Sequence, residues 1–386
     1  MFQTFLNNLA VDNAETISLR YGEITACLNK KFRDTEFKTA NCLQVGSYGR
    51  WTAIKGVSDL DMLYIMPKTK WDDYKNGKQS QLLTDAKDAI RGRYPTTKIY
   101  VDRLVVCVVY KDFHIEAQPV FEQDDGSFKY PDTYNGGSWK ITKPREEISA
   151  MTEANVNKNK NLRRLCKMAR AWKNKHGVGM GGLLVDTLAH NFLNSTTDYD
   201  EKSYLYYDWM SRDFFKYLAD LPKQDYYAAL GSGQRVKVKQ SFQKKAQKAY
   251  GLCLKAIEAG ESDSANGKWK KVYGRPFPAK STVYAEAAAT KSAYTWDKTE
   301  QFIEDKYPVD IRYNLKIECE VSQNGFRENY LTDMLARRIP LLANKKLLFT
   351  ISYIDVPEPY SIEWKVLNRG TVSVHPPPPF PESVAL

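Results

Sequence analysis

At 386 residues the chain is long for one domain and comfortable for two or three. Its 42% hydrophobic and 27% charged residues are the proportions of a folded globular protein and exclude a disordered or fibrous one. The formal net charge of +11 leaves polyanionic ligands open, and a cleft for such ligands would itself be basic. No apolar run approaches the roughly 20 residues that span a bilayer, and Met1-Phe2-Gln3-Thr4 lacks a basic-then-apolar leader, so a cytoplasmic protein without a membrane partner is expected. The six cysteines are scattered without Cys-x-x-Cys spacing and the four histidines lie far apart, which points to reduced thiols and against a zinc site.

In chain order, the pattern Ile17, Leu19, Ile24, Cys27 and Leu28 within residues 13–32 fits an amphipathic helix. Next comes Val45-Gly46-Ser47-Tyr48-Gly49-Arg50, a turn in which Gly46 lets backbone approach a phosphate and Ser47 adds a hydroxyl donor. Twelve residues beyond Ser47, Asp59 and Asp61 head an apolar strand. Residues two apart on a strand share a face, so the two carboxylates project together while Leu60 points the other way. Paired carboxylates repel unless a cation lies between them, and they suit Mg²⁺, which takes one or two carboxylates plus substrate phosphates.

A helix is expected over residues 81–91, then a β-branched strand over 101–110. After a polar break at Lys111-Asp112, a second strand runs over 113–120. Glu116 alternates with Ile115 and Ala117 on the polar face of that second strand. It could reach the aspartate pair if the strands are neighbours and supply the third acid of a two-metal site. Asp112, in the turn, is a weaker alternative. Residues 123–144, rich in Asp, Gly and Pro, read as a loop lining the cleft.

From residue 159 to 175 the chain is strongly helical, with Leu162, Leu165, Met168, Ala169 and Trp172 on one face. Lys167 and Arg170, one turn apart, share a side of it. Further helices are expected over 182–193, 204–219 and 240–258, separated by turns at 193–198 and 230–234. Gly231-Ser232-Gly233 lacks the Lys-Ser/Thr of a phosphate loop and reads as a plain turn. The basic runs 158–164 and 235–248 are most simply lysine-solvated helix faces; nucleic acid is a partner that the charge allows and the sequence does not require. Residues 279–295 read as a linker. Strands over 314–321, 346–354 and 361–366 with a helix over 327–338 form an α+β module, and a proline run over 376–381 follows.

Gly46-Ser47, Asp59-x-Asp61 and a later strand acid together resemble the polymerase-β-like nucleotidyltransferase superfamily. Five longer stretches narrow the likeness: Glu116 through Glu122, Asp125 through Asp132, Gly136 through Lys140, Arg163 through Lys173, and Gly182 through Leu188. They are similar to the bacterial cGAS/DncV-like nucleotidyltransferases, synthases of oligonucleotide second messengers in anti-phage defence, over residues 10–280. The segments 313–321 and 355–370 resemble the small C-terminal sensor domain fused to some of these enzymes. That domain usually continues with further strands after Asn368-Arg369-Gly370, so a shortened or variant module is expected.

The resemblance implies an α+β fold: a polymerase-β-like core over residues 1–150, a helical second lobe over 151–285, and a sensor-like module with a Pro-rich tail over 286–386. It implies Mg²⁺, with Mn²⁺ as a substitute, on Asp59, Asp61 and Glu116. The wider superfamily often carries Asp as the third acid, whereas position 116 is Glu. Gly46 and Ser47 would grip the β- and γ-phosphates of ATP or another NTP. In relatives a basic residue on the corresponding helix holds the triphosphate. Arg170-x-Trp172 resembles the Lys-x-Trp of oligoadenylate synthetases, which puts Arg170 first and Lys167 second. The expected product is a cyclic di- or trinucleotide acting in CBASS-type signalling through a downstream effector, with a regulator acting on the C-terminus. A linear oligoadenylate synthetase, another RNA, protein or small-molecule nucleotidyltransferase, and a non-catalytic binding module are the alternatives.

Overall fold

The computed structural model describes residues 1–279 except 58 and 261–263. It also describes residues 315–356 except 324, 326–327, 337–338, 340, 343–344 and 355, together with the backbone of 383–385. The expected linker beyond residue 279, the strand over 361–366 and the proline run lie outside the described residues. The chain divides into two units, residues 1–292 and 293–386.

The first unit is built on a mixed sheet. Its strands are β1 (Cys42–Gln44), β2 (Asp59–Ile65), β3 (Lys98–Asp102), β4 (Val105–Val109), β5 (His114–Glu122), β6 (Phe128–Asp132) and β7 (Ser138–Thr142). The order is β1-β2-β5-β4-β3, and β6 and β7 extend from β5 as an antiparallel pair. Only β2 and β5 run parallel, with Asp59 opposite His114 and Asp61 opposite Glu116. Strand alternation then sorts the side chains. Leu60, Met62, Ile115 and Ala117 enter a core closed by α2 (Ala14–Arg33) and α5 (Gln79–Arg93). The acids emerge on the other face.

α2 buries Ile17, Tyr21, Ile24, Leu28 and Phe32 at steps of three and four, and stops where Asp34 turns left-handed at φ 53°. α5 contributes Leu82, Leu83, Ala86 and Ile90 to the same core.

The second core of this unit is helical. It joins α6 (Pro144–Asn157), α7 (Asn161–His176), α8 (Gly182–Asn194), α9 (Tyr207–Asp220), α10 (Gln243–Glu258) and α11 (Ala265–Tyr273). α7 is its axis, with Leu162, Leu165, Cys166, Met168 and Trp172 buried, and Gly177 at φ 56° ends it. The N-terminal helix α1 (Phe2–Asn8) packs here and not on the sheet: Phe2 and Phe5 meet Tyr273 and Phe277 edge-on or tilted.

Several expectations need correction. Residues 101–110 hold the end of β3 and the whole of β4, because Arg103 takes φ 36° and reverses the chain between them. Residues 123–144 are not a loop: they hold the β6–β7 hairpin, whose alternation is hidden by Pro131 at its edge. α6 and the short hairpin β8 (Tyr226–Ala228) and β9 (Arg235–Lys237) were not anticipated, and Gly231-Ser232-Gly233 is that hairpin's turn.

The second unit has an antiparallel sheet ordered β11-β10-β12-β13, from β10 (Leu315–Ser322), β11 (Asn329–Tyr330), β12 (Lys346–Ile354) and β13 (Ser383–Ala385). Helix α12 (Leu331–Ala336) covers it, burying Met334 on Cys319 and Val321. The expected helix is therefore shorter than residues 327–338.

Candidate active site

A cavity of about 570 Å³ opens between the polar face of the sheet and the helical core. Asp59, Asp61, Glu116 and Gln118 line one wall, Gly46, Ser47 and Arg50 a second, and Arg170, Lys173, Asn174 and Gly182 a third. The parallel register of β2 and β5 brings Glu116 directly beside Asp61, which meets the condition under which Glu116 could join the pair. Asp112 sits in the exposed turn and does not line the cavity.

The turn after β1 is a single helical turn, Gly46–Gly49. Val45 N–H donates to the carbonyl of Asp61 at 3.1 Å, tying the turn to β2. Gly46 has φ +63°, and a Cβ there would stand 1.7 Å from Asp61 Oδ2, so only glycine fits against this carboxylate. The Ser47 carbonyl accepts from the N–H groups of Thr52 and Ala53 at 2.9 and 3.0 Å, closing the loop that follows.

Charge in the site is unbalanced. Asp61 is pushed up to about 6, first by burial and then by the Glu116 carboxylate, with Arg50 opposing. His114 Nε2 lies 3.2 Å from Asp59 Oδ1 and 3.4 Å from Glu116 Oε1. Among the described residues no three ligand side chains are already gathered at coordinating distance, the imidazole instead standing between two of the acids. Three hard carboxylates sharing one wall still form the donor set that Mg²⁺ or Mn²⁺ takes, and the raised Asp61 marks the repulsion that a dication would relieve. Cys107, opposite Glu116 on β4, is pushed up to about 11 by burial and then by that carboxylate, so its thiol stays protonated.

The two basic candidates separate. Lys167 is not among the cavity-lining residues; burial, then Arg163 and Arg164, lower its pKa. Arg170 does line the cavity, yet its guanidinium is committed. Nε donates to the Thr52 carbonyl at 2.8 Å, Nη2 to Thr52 Oγ1 and Asp186 Oδ2 at 2.9 Å each, and Nη1 to the Gly182 carbonyl at 3.3 Å. Lys173, one turn further along α7, also lines the cavity; burial lowers its pKa, Arg170 adds to that, and Asp59 opposes. Sequence reasoning missed Lys173, although its place three residues after Arg170 puts it on the same side of the helix. It also missed Asp186 and its partners Arg50 and Thr52, which lie 136 and 134 positions away from it in sequence.

Comparison with known proteins decides what this site belongs to. The profile of the Second Messenger Oligonucleotide or Dinucleotide Synthetase domain matches residues 1–155, and that of the Adenylyl/Guanylyl and SMODS C-terminal sensor domain matches residues 297–374. The chain belongs to the bacterial cGAS/DncV-like nucleotidyltransferases. A cyclic AMP-AMP-AMP synthase of an Acinetobacter species is 24% identical over 288 residues, covering 67% of this chain and 76% of that protein.

The fold agrees with solved members of the family. Escherichia coli MS115-1 CdnC with ATP superposes with a TM-score of 0.53 at 13% identity, over 72% of this chain and 98% of CdnC. Apo Vibrio cholerae DncV gives 0.52 at 15% identity, over 61% and 69%. The sheet with its acids is thus the polymerase-β-like core of a nucleotidyltransferase, and the chain is an enzyme of that class. No helix among the described residues is long and apolar enough to cross a membrane.

Proposed function

We propose that this cGAS/DncV-like enzyme joins ribonucleoside triphosphates, ATP among them, into a cyclic di- or trinucleotide second messenger. The observation that carries the reading is the in-register pairing of Asp61 with Glu116, beside Asp59 and against the Gly46–Ser47 turn in one cavity. The similarity to a cyclic AMP-AMP-AMP synthase supports a trinucleotide of adenosine. In the reaction an acceptor ribose hydroxyl forms a bond to the donor α-phosphorus, the bond from that phosphorus to the β-bridging oxygen breaks, and pyrophosphate leaves. The hydroxyl proton passes to a site carboxylate or to water.

The chain's own groups divide that work. Ser47 Oγ and the Gly46 and Ser47 N–H groups offer donors to the β- and γ-phosphates, and Lys173 supplies positive charge to them. Asp59, Asp61 and Glu116 would hold Mg²⁺ or Mn²⁺, which when bound lowers the pKa of the attacking hydroxyl and neutralises phosphate charge. Arg50 steadies the ionised form of Asp61.

In the cell the product would act through a downstream effector in anti-phage, CBASS-type signalling in the cytoplasm. CdnC has been solved in complex with a HORMA protein, which supports a protein regulator here as well.

The test is incubation of the protein with all four radiolabelled NTPs and Mg²⁺ or Mn²⁺, followed by phosphatase. A phosphatase-resistant product is expected, and it should vanish in the Asp59→Ala, Asp61→Ala double variant while the melting curve is retained. A phosphatase-sensitive ladder would establish a linear product instead, and turnover persisting in the double variant would overturn the assignment of the acids.

A further inference from the structure

At the cavity wall, four charged side chains from four segments meet, almost wholly buried. Arg50 follows the Gly46–Gly49 turn, Glu147 comes from α6, Arg170 from α7 and Asp186 from α8, and none of their side chains is more than 7% exposed. Arg50 Nε donates to Asp186 Oδ2 at 2.9 Å and Nη1 to Glu147 Oε2 at 3.2 Å. Arg170 Nη2 reaches the same Asp186 oxygen at 2.9 Å. Two positive and two negative charges balance, so the cluster survives burial that would expel any one of its members alone.

The cluster is wired to the turn at its exit. Thr52 Oγ1 lies 3.0 Å from Asp186 Oδ2 and 3.3 Å from the Ser47 carbonyl, and the Thr52 carbonyl accepts from Arg170 Nε at 2.8 Å. Arg163, a second α7 cation at this loop, donates from Nε to the Arg50 carbonyl at 3.1 Å. The loop from Ser47 to Thr52 is thereby bonded at side chain and backbone to the helical core, while Val45 is bonded to β2.

We infer that Arg50, Thr52 and Asp186 are positioning residues that hold the Gly46–Ser47 turn at a fixed place against α7 and α8, so that its donors meet the phosphates of an incoming nucleotide. This rests on reading that turn as the triphosphate grip. It also accounts for Arg170: its guanidinium holds the turn through Thr52 and Asp186, and direct phosphate contact falls to its neighbour Lys173.

A positioning role differs from plain stabilisation in what it changes. Loosening the turn weakens recognition of phosphates and leaves recognition of base and ribose alone, whereas a loss of folded protein lowers both together. Two variants of the full chain separate these. Arg50→Lys keeps the charge and cannot fork between Asp186 and Glu147. Thr52→Val keeps the shape and the four charges, and cuts the hydroxyl link to Ser47.

Binding of α,β-methylene-ATP and of adenosine would be measured by calorimetry with Mg²⁺. Each variant is expected to lose about tenfold in affinity for the ATP analogue and less than twofold for adenosine, which corresponds to one decade in the ratio of the two constants. Should Arg50→Lys fail to fold, Thr52→Val carries the test. An unchanged ratio, or equal losses for both ligands, would overturn the positioning role. A wild-type protein that binds the analogue no tighter than adenosine would overturn the reading of the turn itself, and with it this inference.

Discussion

Gly46→Ala isolates the closest approach in the active site. Two costs arise, and they can be read separately. The backbone sits at φ +63°, a conformation that costs an L-residue about 1–2 kcal/mol. The new methyl would also stand 1.7 Å from Asp61 Oδ2, where ordinary contact needs about twice that, so the carboxylate must retreat by roughly 1.5 Å or more. A displacement of about 1 Å in a reacting constellation costs on the order of 100-fold in rate, near 2.7 kcal/mol of barrier. Gly126→Ala is the matched control: it has φ +78° in the β5–β6 turn, and nothing lies within 4 Å of its Cβ. Both variants should lose a few degrees of melting temperature from the shared backbone cost. Only Gly46→Ala should lose two or more decades in the initial rate of pyrophosphate release. If Gly46→Ala turned over within threefold of Gly126→Ala, the packing of Gly46 on Asp61 would have no bearing on catalysis and the argument would fail.

Asp61 makes the stability of the metal-free protein depend on pH. Its folded pKa, about 6, lies above the ordinary carboxylate value, so between roughly pH 4 and 6 the folded state holds the proton more tightly, and stability falls as pH rises through that window and levels off above it. Melting temperatures in EDTA should therefore drop for wild type relative to Asp61→Asn from pH 4 to 7; a constant difference would refute the shift. Among the helix cations, Lys173→Ala should raise KM for ATP about tenfold and Lys167→Ala less than twofold, because only Lys173 lines the cavity. Steady-state kinetics at fixed Mg²⁺ would read this, and equal effects would return Lys167 to the site.

The parts of the site that lie close in sequence were legible, since strand alternation alone puts Asp59 and Asp61 on one face, and Glu116 needed only the question of whether its strand was a neighbour. The parallel pairing of β2 with β5 is a tertiary fact that joins Asp61 to Glu116, 55 positions further on, and no local pattern encodes it. Helices with a clear apolar stripe were readable to within a few residues, as in α2 and α7. α6 escaped because only Pro144, Glu147, Met151 and Asn155 turn inward, so its buried face is half polar. The β6–β7 hairpin escaped because its turn-forming composition outweighed five-residue strands.

Arg170 shows why the role of a cation is harder to read than its place. The resemblance of Arg170-x-Trp172 to Lys-x-Trp made it the first candidate for the triphosphate, and it lines the cavity. What spacing does not reveal is competition for the guanidinium, and here Asp186, Thr52 and Gly182 take its donors before any ligand arrives. Asp186 lies on the largely apolar helix Gly182–Asn194, and it is completely buried. A carboxylate there is tenable only with cations to meet it, and those come from the loop after the turn and from α7. The sheet supplies the acids and the helical core supplies the fixed frame. The loop from Ser47 to Thr52 is bonded to that frame, and Val45, just before it, is bonded to the strand that carries the aspartates. Preorganisation of the phosphate grip therefore depends on a joint between two hydrophobic cores, and substitutions far from the acids should be felt first as lost discrimination for the triphosphate.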